Sequence, residues 1–268
     1  MGWNFLAILL VVALVCSAIG FYRYVYFLSI GYGFAVAGIG ITLIVMTCMG
    51  MFATPVISVI GIVVALVLFI IYGARLSGFL LVREIKNSAY QKTLKEATGD
   101  ESKMPFFVKL VIWITVAVLY VGQTSPVFFR LYNGSGVTSL LWVGIGISVI
   151  GIVLESIADK QKGQQKKLRP DKVATEGLYK IVRCPNYFGE ILFWTGVFVG
   201  GIDIYAGIGQ WLLAAICWIC IIYIMFNGAQ RLEKRQMARY GNDEEYNAYA
   251  DNTPIIIPLL PIYHLNKK

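Results

Sequence analysis

The chain has 268 residues, 58% of them hydrophobic and only 14% charged, with a mean hydropathy of +0.70. That balance excludes an ordinary soluble domain. A net charge of +8 fits a membrane protein facing anionic lipid headgroups and calls for no nucleic-acid partner.

Apolar stretches close to the ~20 residues a helix needs to cross a bilayer recur at 3–20, 30–49, 56–72, 106–120, 137–154, 191–209 and 211–226. They predict an all-α integral membrane protein with about seven transmembrane helices. No basic residue precedes the first stretch, so it reads as a retained span rather than a cleaved signal. Short cytoplasmic loops hold an excess of Lys and Arg. With the N-terminus outside and the C-terminus cytosolic, 21 of the 23 basic residues fall on the inner side, leaving Lys109 near the inner end of its span and Arg130 outside.

The first three spans contain no acidic residue; the first is Glu84. Residues 83–104 are polar and read as a cytosolic linker, in which a Glu84–Lys86 pair needs no function. Residues 1–104 are expected to form an N-terminal three-span region with its linker, and residues 105–268 a four-span domain with cytosolic loops and tail. The five cysteines lie in or near spans and behave as small hydrophobes. His264 is the single histidine, so no zinc or haem site is expected.

From Glu155 onward the composition changes. Polar groups gather at the inner ends of three spans: Glu155 and Asp159 leaving the fifth, "RCPNYFGE" (183–190) entering the sixth, and "NGAQRLEKRQMARYG" (227–241) leaving the seventh. Ionisable groups at membrane depth are costly and face a cavity or a partner. Glu155 and Asp159, four residues apart, share a helix face. The basic run from Lys160 through Lys166 to Lys172 offers phosphate contacts. Pro185 suits the first turn of a helix, where free N–H groups and the Asn186 amide can meet a polar ligand. Glu190, a turn into the apolar run, needs a partner; Arg231, Glu233 and Arg235 are the candidates.

"GLYKIVRCPNYFGEILFW", the upstream "ESIAD" and the downstream "LEKRQMARYGNDEEYNAY…TPIIIP" resemble the C-terminal domain of the steroid 5-alpha-reductase superfamily, in particular its bacterial branch. The resemblance is strong over roughly residues 145–260. It implies a seven-helix membrane reductase that binds NADPH and acts on an enone of a lipophilic substrate, a 3-oxo-4-ene steroid or similar lipid. It further implies cofactor contacts from Glu155, Asp159, Lys166, Arg183, Asn186, Tyr187, Glu190, Arg231 and Glu233. "FIIYGARLSGFLL" resembles a helix end in which steroid reductases carry Tyr three residues before Arg, here Tyr72 and Arg75. Tyr72 is then the proton or hydrogen-bond donor to the substrate carbonyl, and Arg75 lies at the substrate.

Two features depart from the family pattern. Its histidine before the proline is Cys184 here, and its ketone-gripping Gln-Glu pair has no match in the acid-free first spans. Isoprenylcysteine and phospholipid methyltransferases, which bind S-adenosylmethionine, share an R-H-P-x-Y-x-G helix start; Asn186 and the full "NYFGE" favour the reductase. A transporter would need polar groups in the outer half as well, and these are few. The expected partners are a lipophilic small molecule and membrane lipids, with no obligatory protein partner, in a bacterial plasma membrane with the cofactor site facing the cytosol.

Overall fold

The computed structural model describes residues 2–52, 56–86 and 104–266, with side chains from residue 60 in the third helix. The elements are helices throughout: α1 (Trp3–Ser17), α2 (Ile30–Cys48), α3 (Val56–Lys86), α4 (Phe106–Tyr132), α5 (Ser139–Leu168), α6 (Pro185–Val199), α7 (Ile208–Tyr240) and α8 (Glu244–Asn252). Six stretches among the described residues are long and apolar enough to span a bilayer: the α1 stretch, α2, α3, α4, α5 and α7. The protein is an integral membrane protein. At 15 residues, α6 falls short of that length, which accounts for six rather than seven.

Several helices outrun the apolar stretches that announce them, because polar residues end a hydropathy peak without ending a helix. α3 continues to Lys86, where Glu84 pairs with Arg23 at 2.6 Å and accepts from the Tyr26 hydroxyl. Glu84 thus ties its helix to the α1–α2 connection. Residues 87–103, the rest of the expected linker, lie outside the described residues.

α4 runs on through Pro126. A proline inside a helix leaves the carbonyl four residues back without its N–H. Here Ser125 Oγ donates to that carbonyl, Gly122 O, at 2.7 Å. The longer helix carries Arg130 into a buried position rather than an outer loop. Its guanidinium donates to Gly200 O and Gly136 O at 2.7 Å each and pairs with Asp203 at 2.5 Å.

The chain forms two compact units, Met1–Ile145 with Val197–Cys217, and Gly146–Gly196 with Trp218–Lys268. In the first, α2 and α3 approach through glycines, as bilayer helices do, and Ser77 Oγ donates to Ile30 O at 2.7 Å. A Cβ on Gly73 would lie 2.1 Å from Gly33 O, a backbone atom that cannot swing away. Gly73→Ala is therefore expected to cost about 1–3 kcal/mol, read as a lower melting temperature in detergent. Gly78→Ala, on the same helix with open space around it, should gain about 0.5–1 kcal/mol from helix propensity.

Candidate functional site

The second unit holds most of the residues singled out above. Glu155, on α5, is buried against α6 where Gly189 has no side chain. A Cβ there would meet Glu155 Cγ at 2.6 Å, and one on Gly151 would meet Gly189 O and Phe193 N at 2.6 Å. Ser148 Oγ donates to Phe193 O at 3.0 Å along the same seam. Two small residues thus let a carboxylate-bearing helix lie against α6. Glu190, the residue after Gly189, is buried, and Trp194 Nε1 donates to its Oε1 at 3.0 Å. On α7, Glu233 takes Arg183.

The start of α6 is pinned to the C-terminal segment. Arg183 N donates to Pro254 O at 2.8 Å and Cys184 N to Ile255 O at 2.9 Å. These two N–H groups are therefore committed to the chain itself. Asn186 and Tyr187 are half-buried in the first turn. Cys184 packs with Ile191, Ala229, Ile255 and Ile256, and burial pushes its thiol up to about 12, in keeping with a small hydrophobe.

Glu233 is the hub of the unit. Its side chain and that of Arg183 are each 2% exposed, and they meet at 2.8 Å. The same carboxylate accepts from Leu265 N at 2.9 Å, Asn266 N at 3.0 Å and Asn266 Nδ2 at 2.9 Å, with His264 Nδ1 also at 2.9 Å. Arg183 donates to Tyr263 O as well. Its Nε and Nη1 lie buried beside the buried Tyr246 hydroxyl without a hydrogen bond of normal geometry among the described residues. A guanidinium with such spare donors fits a phosphate or amide oxygen.

The remaining residues frame this hub. Asp159 is half-buried near Tyr179. Lys166 Nζ donates to Tyr240 Oη at 3.0 Å and to Lys172 O. Lys172 pairs with Asp243 at 2.6 Å and Glu245 at 3.1 Å. Its hydrogen bond to Asp243 holds the amine above the usual lysine range and that carboxyl below its own. Arg231 is exposed. A cleft of about 920 Å³ is lined by Glu233, Lys234, Met237, Asn247, His264 and Asn266, the upper part of the size range of small-molecule sites.

Among the sequence-predicted cofactor residues, Glu233 lines the cleft. His264 and Asn266, from the C-terminal tail, line it too, and the apolar run Ile255–Ile257 is the sequence signal that this segment docks. Among the described residues no cluster of His, Cys, Asp and Glu could hold a metal. In the first unit Tyr72 is fully buried, 5.9 Å and edge-on from Tyr32, which stacks on Tyr120 at 4.8 Å. Arg75 is half-buried one turn on.

Residues 35–253 match the family described as "Protein of unknown function (DUF1295)". The chain is also similar to a steroid 5-alpha-reductase DET2 of Gossypium hirsutum, 26% identical over 120 residues. That stretch covers 44% of this chain and 41% of the cotton protein, so the chain matches about two fifths of its relative's length. No solved structure matches. The family match covers most of the chain, and with the start of α6, the buried Arg183–Glu233 pair and the similarity to a steroid reductase it leads to one assignment: the protein belongs to the DUF1295 family, a steroid 5-alpha-reductase-like family of membrane proteins.

Proposed function

We propose that the protein is an NADPH-dependent reductase that saturates an activated carbon–carbon double bond in a lipophilic substrate, a 3-oxo-4-ene steroid or a similar enone lipid. The observation that carries this reading is the set of buried ionisable side chains in the second unit, Glu155, Arg183, Glu190 and Glu233, in a chain otherwise built of apolar helices. Such groups are retained at membrane depth for a polar ligand or a relay. The similarity to a steroid 5-alpha-reductase supports a reductase over the other chemistries of the same architecture.

NADPH, when bound, supplies the hydride. Lys166 and Arg183 would hold its phosphates, Glu155 and Asp159 its ribose or amide donors, and Asn186, Tyr187 and Glu190 its polar groups at the start of α6, with Arg231 and Glu233 completing the set. Tyr72 places a phenol hydrogen bond on the substrate carbonyl, and Arg75 lies at the substrate. The N-terminus is outside, the cofactor side faces the cytosol, and the membrane is a bacterial plasma membrane. Residues 1–104 form the substrate region and 105–268 the reductase region.

A ligand that binds only the native state stabilises it by about 2.7 kcal/mol at a hundredfold excess over its dissociation constant. NADPH is expected to raise the melting temperature of the purified protein selectively over NADH and S-adenosylmethionine. Glu190→Ala should weaken that shift. Stabilisation by S-adenosylmethionine alone would move the protein to the methyltransferases, and an unchanged NADPH shift in the Glu190 variant would remove Glu190 from the site.

A further inference from the structure

The first unit contains a buried polar group that neither the fold nor the mechanism above uses. Gln123, on α4, is 3% exposed, and neither its Nε2 nor its Oε1 has a hydrogen-bond partner among the described residues. Its neighbours show why the helix cannot help. Thr124 Oγ1 donates to Tyr120 O at 2.9 Å and Ser125 Oγ to Gly122 O at 2.7 Å. These short hydroxyls fold back on carbonyls of their own helix, and the Gln123 amide makes no such bond. A buried amide left without partners is expensive anywhere and more so where lipid surrounds the protein.

The spacing places Gln123 on the face of α4 that carries Tyr120, one turn away. Tyr120 donates to Phe27 O and stacks on Tyr32, which meets Tyr72 edge-on. The amide lies one helical turn from a tyrosine that is linked through Tyr32 to the proposed hydroxyl donor, in the same unit. An amide offers two N–H donors and a carbonyl acceptor, so it suits the oxygen of an otherwise apolar molecule.

We infer that Gln123 is a recognition residue for the carbonyl oxygen of the lipophilic substrate. This rests on the reductase reading and deepens it, supplying an oxygen-binding group in a chain whose first three spans contain no acid. A substrate carbonyl accepts from Nε2 and removes the cost of the buried amide, while a hydrocarbon of equal size leaves that cost in place. The residue therefore trades stability of the free protein for selectivity.

The test compares the full-length protein with Gln123→Met in detergent, with progesterone and farnesal as enone probes, each titrated with and without NADPH. The ligand-free variant is expected to melt roughly 2–4 °C higher than the parent, to keep its stabilisation by NADPH, and to bind the enone about tenfold more weakly. A lower melting temperature would make the amide a structural group and overturn the inference. Unchanged enone affinity, or a parent protein that binds neither probe, would overturn it as well. Absence of NADPH stabilisation in the parent tells against the reductase reading, while the enone affinities measured without NADPH still decide the role of Gln123.

Discussion

Glu233→Gln is expected to destabilise the protein by about 3–5 kcal/mol, the cost of breaking a buried ion pair from one side. The substitution keeps the shape of the side chain but replaces one carboxylate oxygen with a donor. Arg183 then keeps a buried cation whose Nε and Nη1 already lack hydrogen bonds of normal geometry. The one remaining oxygen can serve either Arg183 or the Leu265 and Asn266 N–H groups, so one side is left facing an amide donor. Arg183→Met should cost less, because the carboxylate retains those donors and the variant removes the spare guanidinium nitrogens with the charge. Unfolding in detergent gives the ranking, and hydrogen exchange at Leu265 and Asn266 reports the tail. Equal costs for the two variants would mean that Glu233 acts only as the partner of Arg183 and does not anchor the terminus.

Tyr72→Phe is expected to lower turnover about a hundredfold, the lower end of what a positioned proton donor contributes, with little change in stability or in KM. The phenylalanine ring preserves the contact with Tyr32, so packing in the fully buried position is retained and only the hydroxyl is lost. A group that acts in the transition state but not in substrate binding lowers kcat and kcat/KM together. Single-turnover oxidation of NADPH with a bound enone reads the step directly. A rise in KM with kcat unchanged would make Tyr72 a binding group and leave the proton donor to be sought elsewhere.

The membrane class and the positions of most spans were legible in the sequence. A bilayer offers backbone groups no water, so every crossing must be a long apolar helix, and that demand is written locally. The ends of the helices were less legible. α4 passes Pro126 because Ser125 satisfies the freed carbonyl, and hydropathy reads neither event. Arg130 looked like a loop charge because its acceptors, Gly200 O and Asp203, lie some seventy residues on.

The polar residues of the candidate site were legible as types and as a layer, because charges among apolar helices stand out against composition. Their partners were not. Glu190 takes Trp194 from its own helix, a donor that a search for opposite charge overlooks. Glu233 takes Arg183 from fifty residues upstream and the backbone of a terminus that reads as a loose tail. Gln123, a neutral residue in an apolar run, carried no signal until its surroundings were known.

By itself the sequence determined that this is a helical membrane protein, where most of its spans lie and which residues carry charge among them, since hydrophobic burial and the bilayer's intolerance of unpaired backbone act through local composition. Only the tertiary structure decided which charges neutralise one another, that the C-terminal segment closes on Glu233, and that Gln123 has no hydrogen-bond partner among the described residues. Pairing depends on groups brought together across long stretches of chain, and no local pattern encodes that distance.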